Sequence, residues 1–327
     1  ISPPSPKHHQ WHSLSSPPPS SSSSSSFFTF KVNSTTFTFT NKCANTIWPA
    51  TLSNSGTAPL STTGFILPSG TSLSIQAPTG WSGRFWARTS CSTTLNHLTC
   101  ATGDCGSGQI ECSGSGATPP ATLAEFTLAG PSSTKDFYDV SLVDGYNIPM
   151  MVVAANGGCE STGCAVDLNN RCPAELRVGE GCRSACEAFG KEEYCCSGVY
   201  ANPSVCKPTV YSEMFKAACP RSYSYAFDDP SSTFTCDAPA DYSIIFCPNP
   251  LDPSSSSSFG EDDGSSSPSQ KSSRDGTTEP TTKGVVLEGG ESWLANLAMG
   301  DDAPSSRKNF SIFHQFLLIF FLIYLLF

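Results

Sequence analysis

The sixteen cysteines of this 327-residue chain include no C-x-x-C pair, and none lies outside positions 43 to 247. That absence argues against zinc ribbons and thioredoxin-type redox sites, both of which need the close spacing. Basic charge is also short. Between residues 37 and 248, eleven Lys and Arg stand against eighteen Asp and Glu, a balance of 11 − 18 = −7. Such a surface repels a phosphate backbone, so nucleic acid is not an expected partner, and neutral or cationic ligands remain.

What the sequence does hold is an even number of cysteines, which reads as a disulfide framework built in an oxidising compartment. The protein is therefore expected to be secreted or to face outward. Cys195 and Cys196 are adjacent, and neighbours in sequence do not reach relaxed disulfide geometry with each other, so each needs a different partner. Each bridge contributes about 2–4 kcal/mol by restricting the unfolded chain. In stretches such as "CATGDCGSGQIEC", Cys100 to Cys112, which has little to bury, the bridges are expected to stand in for a core.

Short runs rich in β-branched and aromatic residues recur from Thr36 onward: "TFTFTN", "TIWPATL", "GFILP", "SLSIQAP", "RFWART", "LAEFTL", "FYDVSL", "MMVVAA" and "YSIIF", punctuated by Gly, Pro, Asn and Ser. This is the pattern of an antiparallel sandwich or barrel. It pauses over residues 159–221, where cysteines crowd and only "SACEAFG" and "YSEMFKAAC" read as helical. The expected organisation is a Ser/Pro-rich segment over 1–33, a folded domain over 34–250 with the 159–221 lobe inside it, a Ser-rich acidic linker over 251–310 and a hydrophobic tail over 311–327. The first segment shows no apolar leader, and we expect one to be missing from it. His8, His9 and His12 lie in that solvated segment and are assigned no metal; no cofactor is expected either.

The tail's uninterrupted apolar part, Phe316 to Phe327, is short for a span of about 20 residues. Small residues around Met299 to Ala303, a spacer with Arg307 and Lys308, and the terminal apolar run match a GPI-attachment signal cleaved near Gly300 or Asp301. A plain transmembrane tail is the alternative. Of two sequons, at Asn33 and Asn309, the second would leave with the cleaved tail, so Asn33 is the expected glycan site.

In order along the chain, "RFWARTSC", "CATGDCGSGQIEC", "LAEFTL", "YDVSLVDGYNIPM", "EYCCSG", "ACPRSYSYAFDDP" and "YSIIFCP" resemble the thaumatin-like proteins, the plant defence group that includes thaumatin, osmotin and zeamatin. The likeness covers about residues 36–249. It departs at "NHLT" before Cys100, where the family carries glycine, and at "VYANPSVC", a longer loop than in thaumatin. The resemblance implies a mainly β fold: an antiparallel β-sandwich of about eleven strands with a disulfide-rich loop and helix lobe. It also implies eight disulfides, pairing Cys43 with Cys247, Cys91 with Cys100, Cys105 with Cys112, Cys159 with Cys236, Cys164 with Cys219, Cys172 with Cys182, Cys186 with Cys195 and Cys196 with Cys206.

The resemblance further implies a cleft between sandwich and lobe lined by one Arg and four carboxylates, here Arg84, Glu125, Asp139, Asp144 and Asp228. One guanidinium cannot neutralise four carboxylates, so at least one of them is expected to keep its proton near neutral pH. Two functions of different class follow. One is an outward-facing module, tethered at the plasma membrane or held in the wall, that binds β-1,3-glucan, another wall polysaccharide or a membrane protein partner. The other is a slow endo-β-1,3-glucanase with Glu125 as acid and Asp144 as base or nucleophile. Phe85, Trp86, Phe126 and Tyr146 are candidate flat surfaces for sugar rings, and Asp104 is expected to turn the backbone instead of touching ligand. Nothing in the sequence demands more than a monomer.

Overall fold

Alternation of buried and exposed side chains along the strands generates two layers. The computed structural model describes residues 34–249 apart from 132, 156 and 157; the calls on Asn33, the linker, the tail and its anchor fall outside the described residues. The strands are β1 Ser34–Asn41, β2 Trp48–Ser53, β3 Ser72–Pro78, β4 Ser82–Arg88, β5 Ser92–Thr94, β6 His97–Thr99, β7 Leu123–Thr127, β8 Lys135–Ser141, β9 Met150–Ala154, β10 Thr162–Cys164, β11 Arg177–Val178, β12 Gly181–Cys182, β13 Phe234–Asp237 and β14 Tyr242–Phe246. Short helices α1 Ala185–Phe189, α2 Glu192–Cys195, α3 Val210–Ala218 and α4 Asp229–Ser232 complete the regular structure.

One five-stranded sheet has the order β10-β9-β14-β1-β3, with β1 parallel to β14; the other has the order β13-β8-β7-β4-β2 and is antiparallel throughout. In β1, "STTFTFTN", every second residue is buried, which drives Phe37 and Phe39 between the sheets. There they meet Phe85 and Phe126 of the second sheet, with Phe37 ring centroids 4.8 and 4.7 Å from those two partners. Tyr138 of β8 and Tyr242 of β14 extend the same aromatic layer, at 5.1 Å. Each such ring contributes on the order of 1.5–3 kcal/mol by leaving water, so this layer is the main reason the sheets stay together.

A second buried cluster organises the lobe: Leu142, Tyr146, Leu168, Leu176 and Phe215 pack with Cys164, Cys172, Cys182 and Cys219. α3 docks there through Phe215, and a reciprocal capping box between Thr209 and Ser212 starts it. Both stretches read as helical are helical. "GFILP", read as a strand, supplies only the isolated bridges Ile47↔Leu67 and Ala50↔Gly64 before Pro68 ends the pairing. The strands not anticipated, β5, β6 and β10 to β13, have two to four residues each, too few to show a period.

Eight disulfides join Cys43–Cys247, Cys91–Cys100, Cys105–Cys112, Cys159–Cys236, Cys164–Cys219, Cys172–Cys182, Cys186–Cys195 and Cys196–Cys206, and no described cysteine is free. These are the eight pairs that the family resemblance implies. The expectation that bridges replace burial in the 100–112 stretch needs correcting. Cys105 and Cys112 are themselves buried with Ala50, Trp86, Ala121 and Leu123, and the loop between them closes over the Arg88 guanidinium. Arg88, 1 % exposed, donates to the carbonyls of Trp48, Gln109 and Ile110 at 3.1, 3.1 and 2.6 Å. Asp104 turns the backbone as expected, accepting from the N–H groups of Cys100 and Gly106, both at 2.6 Å.

Candidate functional site

β4, β7 and β8 are neighbours, and their register sets Arg84 opposite Glu125 and Glu125 opposite Asp139. Phe85, Phe126 and Tyr138 point into the core between the sheets, so by alternation the three charged residues share the other face. Directly opposed side chains start from Cβ atoms about 4.5–5.5 Å apart, so the row is a true juxtaposition of charges. Glu125 is 3 % exposed and Asp139 0 % exposed, and neither carboxyl oxygen of Asp139 has a hydrogen-bond partner. Burial pushes the Asp139 carboxyl well above the ordinary range, and the charges of Glu125 and then Asp229 push it further.

Beyond Asp139 the row meets the segment leading into α4. Tyr223 bridges to Ser141 and exchanges backbone hydrogen bonds with Val140 and Leu142, both at 2.9 Å. Its hydroxyl donates to Asp229 Oδ1 at 3.1 Å and is also bonded to the Thr233 hydroxyl. Burial raises the Tyr223 phenol, with Asp139 the next contributor. Three acidic or phenolic groups, Glu125, Tyr223 and Asp229, thus gather around one buried carboxyl, that of Asp139.

Asp144 and Asp228 are placed differently. Asp144 lies half-buried in the turn after β8, where its charge and burial together raise the Glu187 carboxyl against the opposing pull of Arg183, burial being the larger cause. Asp228 accepts from the Ser224 N–H and hydroxyl at 3.0 and 2.9 Å and from Ser231 at 3.2 Å, and it lies 3.0 Å from Lys216 Nζ. It is therefore occupied with holding the segment before α4. Its neighbour Asp229 is the one whose charge reaches Asp139. Sequence reasoning missed Asp229 and Tyr223. The dipeptide "DD" in "AFDDP" was visible, but which Asp faces the sheet is decided by the turn at 228, and no periodicity reports on that.

The four aromatic residues proposed as sugar platforms are all buried, which corrects that expectation. Phe85 and Phe126 lie in the core between the sheets, Trp86 packs under the 105–112 loop and donates its indole N–H to the Gly103 carbonyl at 2.8 Å, and Tyr146 lies in the lobe core. None presents a ring face to solvent. No group of three or more His, Cys, Asp or Glu suited to a metal ion occurs among the described residues.

A model of the Thaumatin family matches residues 41–248, more than half of the chain. The chain belongs to the thaumatin family. It is 61 % identical over 225 residues to "Thaumatin-like protein 1" of Arabidopsis thaliana, an alignment covering 65 % of this chain and 86 % of that protein. It is 50 % identical over 227 residues to "Pathogenesis-related thaumatin-like protein 3.5" of Cryptomeria japonica, covering 67 % of this chain and 92 % of the relative. A third relative, "PR5-like receptor kinase" of Arabidopsis thaliana, is 48 % identical over 238 residues, which make up 69 % of this chain but 36 % of the kinase. The matched residues span the lobe and both sheets except most of β1.

Proposed function

We propose that this thaumatin-family chain is an extracellular defence protein that binds β-1,3-glucan or another wall polysaccharide through a cleft lined by Arg84, Glu125, Asp139, Asp144 and Asp228, with Asp229 added. The observation that carries the reading is the cross-strand row of Arg84, Glu125 and Asp139 on the face turned away from the core. A carboxylate and a guanidinium side by side suit vicinal sugar hydroxyls, one accepting and the other donating. The defence role is supported by the likeness to the pathogenesis-related protein of Cryptomeria japonica. Sixteen cysteines all held in disulfides suit an oxidising, extracellular setting, at the wall or tethered to the outer face of the plasma membrane.

Arg84, Asp144 and Asp229 are half-buried and can meet a sugar, whereas Glu125 and Asp139 are almost fully enclosed and set the charge behind them. Those two are out of reach of the glycosidic oxygen that a general acid must protonate, so binding is favoured over hydrolysis. The test is calorimetric titration of the secreted, disulfide-intact protein with linear β-1,3-glucan oligomers, with aliquots checked for released reducing ends. Heat without products supports the binding module. Products that disappear in Glu125→Gln would instead establish an endo-β-1,3-glucanase, and neither signal would redirect the search to a protein partner.

A further inference from the structure

We propose that Asp139 and Glu125 hold a single proton between their carboxyl groups, so that the pair presents one negative charge, and that ligand binding at this site depends on keeping that proton. The second half rests on the glucan reading above; the first does not. Register sets the two side chains directly opposite each other on β8 and β7. Asp139 is 0 % exposed and neither of its oxygens receives a hydrogen bond from any donor. An ionised carboxylate so enclosed lacks both water and donors, a state that proteins avoid by neutralising the group. A neutral carboxyl has one O–H to donate, and Glu125 stands opposite as the acceptor.

Which partner carries the proton follows from the neighbours on each packed element. Glu125 has Arg84 directly opposite on β4, so it is the better compensated of the two charges. Asp139 stands one strand further from Arg84, their backbones about 10 Å apart at the usual strand spacing. On its other side the charge of Asp229, at the start of α4, disfavours its ionisation, and the Tyr223 hydroxyl is bonded to Asp229 Oδ1 and the Thr233 hydroxyl instead of to Asp139. Asp139 is thus the acid of the pair and Glu125 the carboxylate.

A neutral saccharide covering this row displaces the little water left at Glu125 and lowers the dielectric around the enclosed Asp139, which favours the shared-proton form over the doubly charged one. Affinity then falls as pH rises through the midpoint of the free pair, by up to tenfold per pH unit. A cationic ligand would show the reverse slope. The pair therefore selects neutral ligands at the pH where it stays protonated.

The experiment follows the aspartate carboxyl carbons by NMR across pH in the full, secreted chain, with the Asp139 signal assigned by its loss in Asp139→Asn. Titration with a linear β-1,3-glucan hexasaccharide at each pH gives the affinity profile. The expected result is an Asp139 midpoint well above that of an ordinary aspartate, lowered in Glu125→Gln and less so in Asp229→Asn, and an affinity profile whose slope flattens in Asp139→Asn. An Asp139 that titrates in or below the ordinary range overturns the shared proton. A raised midpoint with affinity independent of pH overturns the coupling. A raised midpoint with no glucan binding at any pH supports the pair and sinks the glucan reading instead.

Discussion

Lys216 Nζ lies 3.0 Å from Asp228 Oδ2 and also donates to the Ser222 carbonyl at 3.0 Å and the Ser232 hydroxyl at 2.7 Å. The ammonium's three hydrogens thus have three acceptors, and α3 is tied to the segment that places Asp229 beside the carboxylate row. Removing Asp228 would leave a mostly enclosed ammonium with one acceptor missing. We predict that Asp228→Ala lowers stability by about 3 kcal/mol, the low end for breaking a buried pair, because both side chains keep some solvent contact. Urea unfolding measures the loss. A change below 0.5 kcal/mol, on the order of an ordinary surface substitution, would show that the pair does not hold this segment.

Arg88 makes a second test of a buried charge. Its guanidinium serves three carbonyls that no ammonium can reach from one point, and burial lowers its pKa against the opposing pull of Asp104 and Glu111. Gly64 backs so closely onto the Ile110 carbonyl that a Cβ there would collide with it, so the loop is packed tightly on that side. Arg88→Lys should therefore cost about 2–3 kcal/mol through unsatisfied carbonyls and raise amide exchange across residues 105–112. Unchanged exchange in that loop would refute the anchoring role.

The sandwich was legible in the sequence because its strands alternate strongly, as in "TFTFTN" and "YSIIF", and burial enforces that alternation. Two helices of the lobe, α1 and α3, were legible for the same reason at a different period, whereas α2, with four residues, is too short to show one. The carboxylate row was reached by resemblance, residue by residue, since nothing in the spacing of Arg84, Glu125 and Asp139 along the chain announces that register will align them. The aromatic residues misled because composition alone does not say which face of a strand is covered. Phe85 and Phe126 face the opposite sheet, while Trp86, on the other face, is capped by a loop whose closure depends on Arg88.

The departure at "NHLT" also has a structural consequence. Leu95 and Asn96 form the two-residue turn between β5 and β6, both at positive φ, 51° and 62°. Asn tolerates that region, but Leu does not, and Leu95 is 96 % exposed, so no packing offsets the strain. Leu95→Gly should raise stability by about 1 kcal/mol, seen as a higher melting temperature. A lower melting temperature would refute the relief of strain at this turn.

Tyr242 of β14 donates to Asp136 Oδ2 of β8 at 2.9 Å across the core, and the Ala129 N–H donates to Oδ1 at 2.7 Å. Burial nevertheless outweighs both hydrogen bonds and raises the Asp136 carboxyl above its usual value. The folded state therefore holds a proton that the unfolded chain releases, and this group's contribution to stability falls as pH rises from the unfolded carboxyl range through the raised native value. Tyr242→Phe removes one of the two donors that favour the ionised form. It should move the Asp136 midpoint further up, enlarge the loss of stability towards neutral pH and cost about 1–3 kcal/mol there. At low pH, where the carboxyl is protonated in both states, the variant and the parent should converge. Unfolding free energies measured from acid to neutral pH decide the matter: a difference between the two proteins that does not change with pH would mean that the Tyr242 hydroxyl does not favour the ionised carboxyl and serves packing alone.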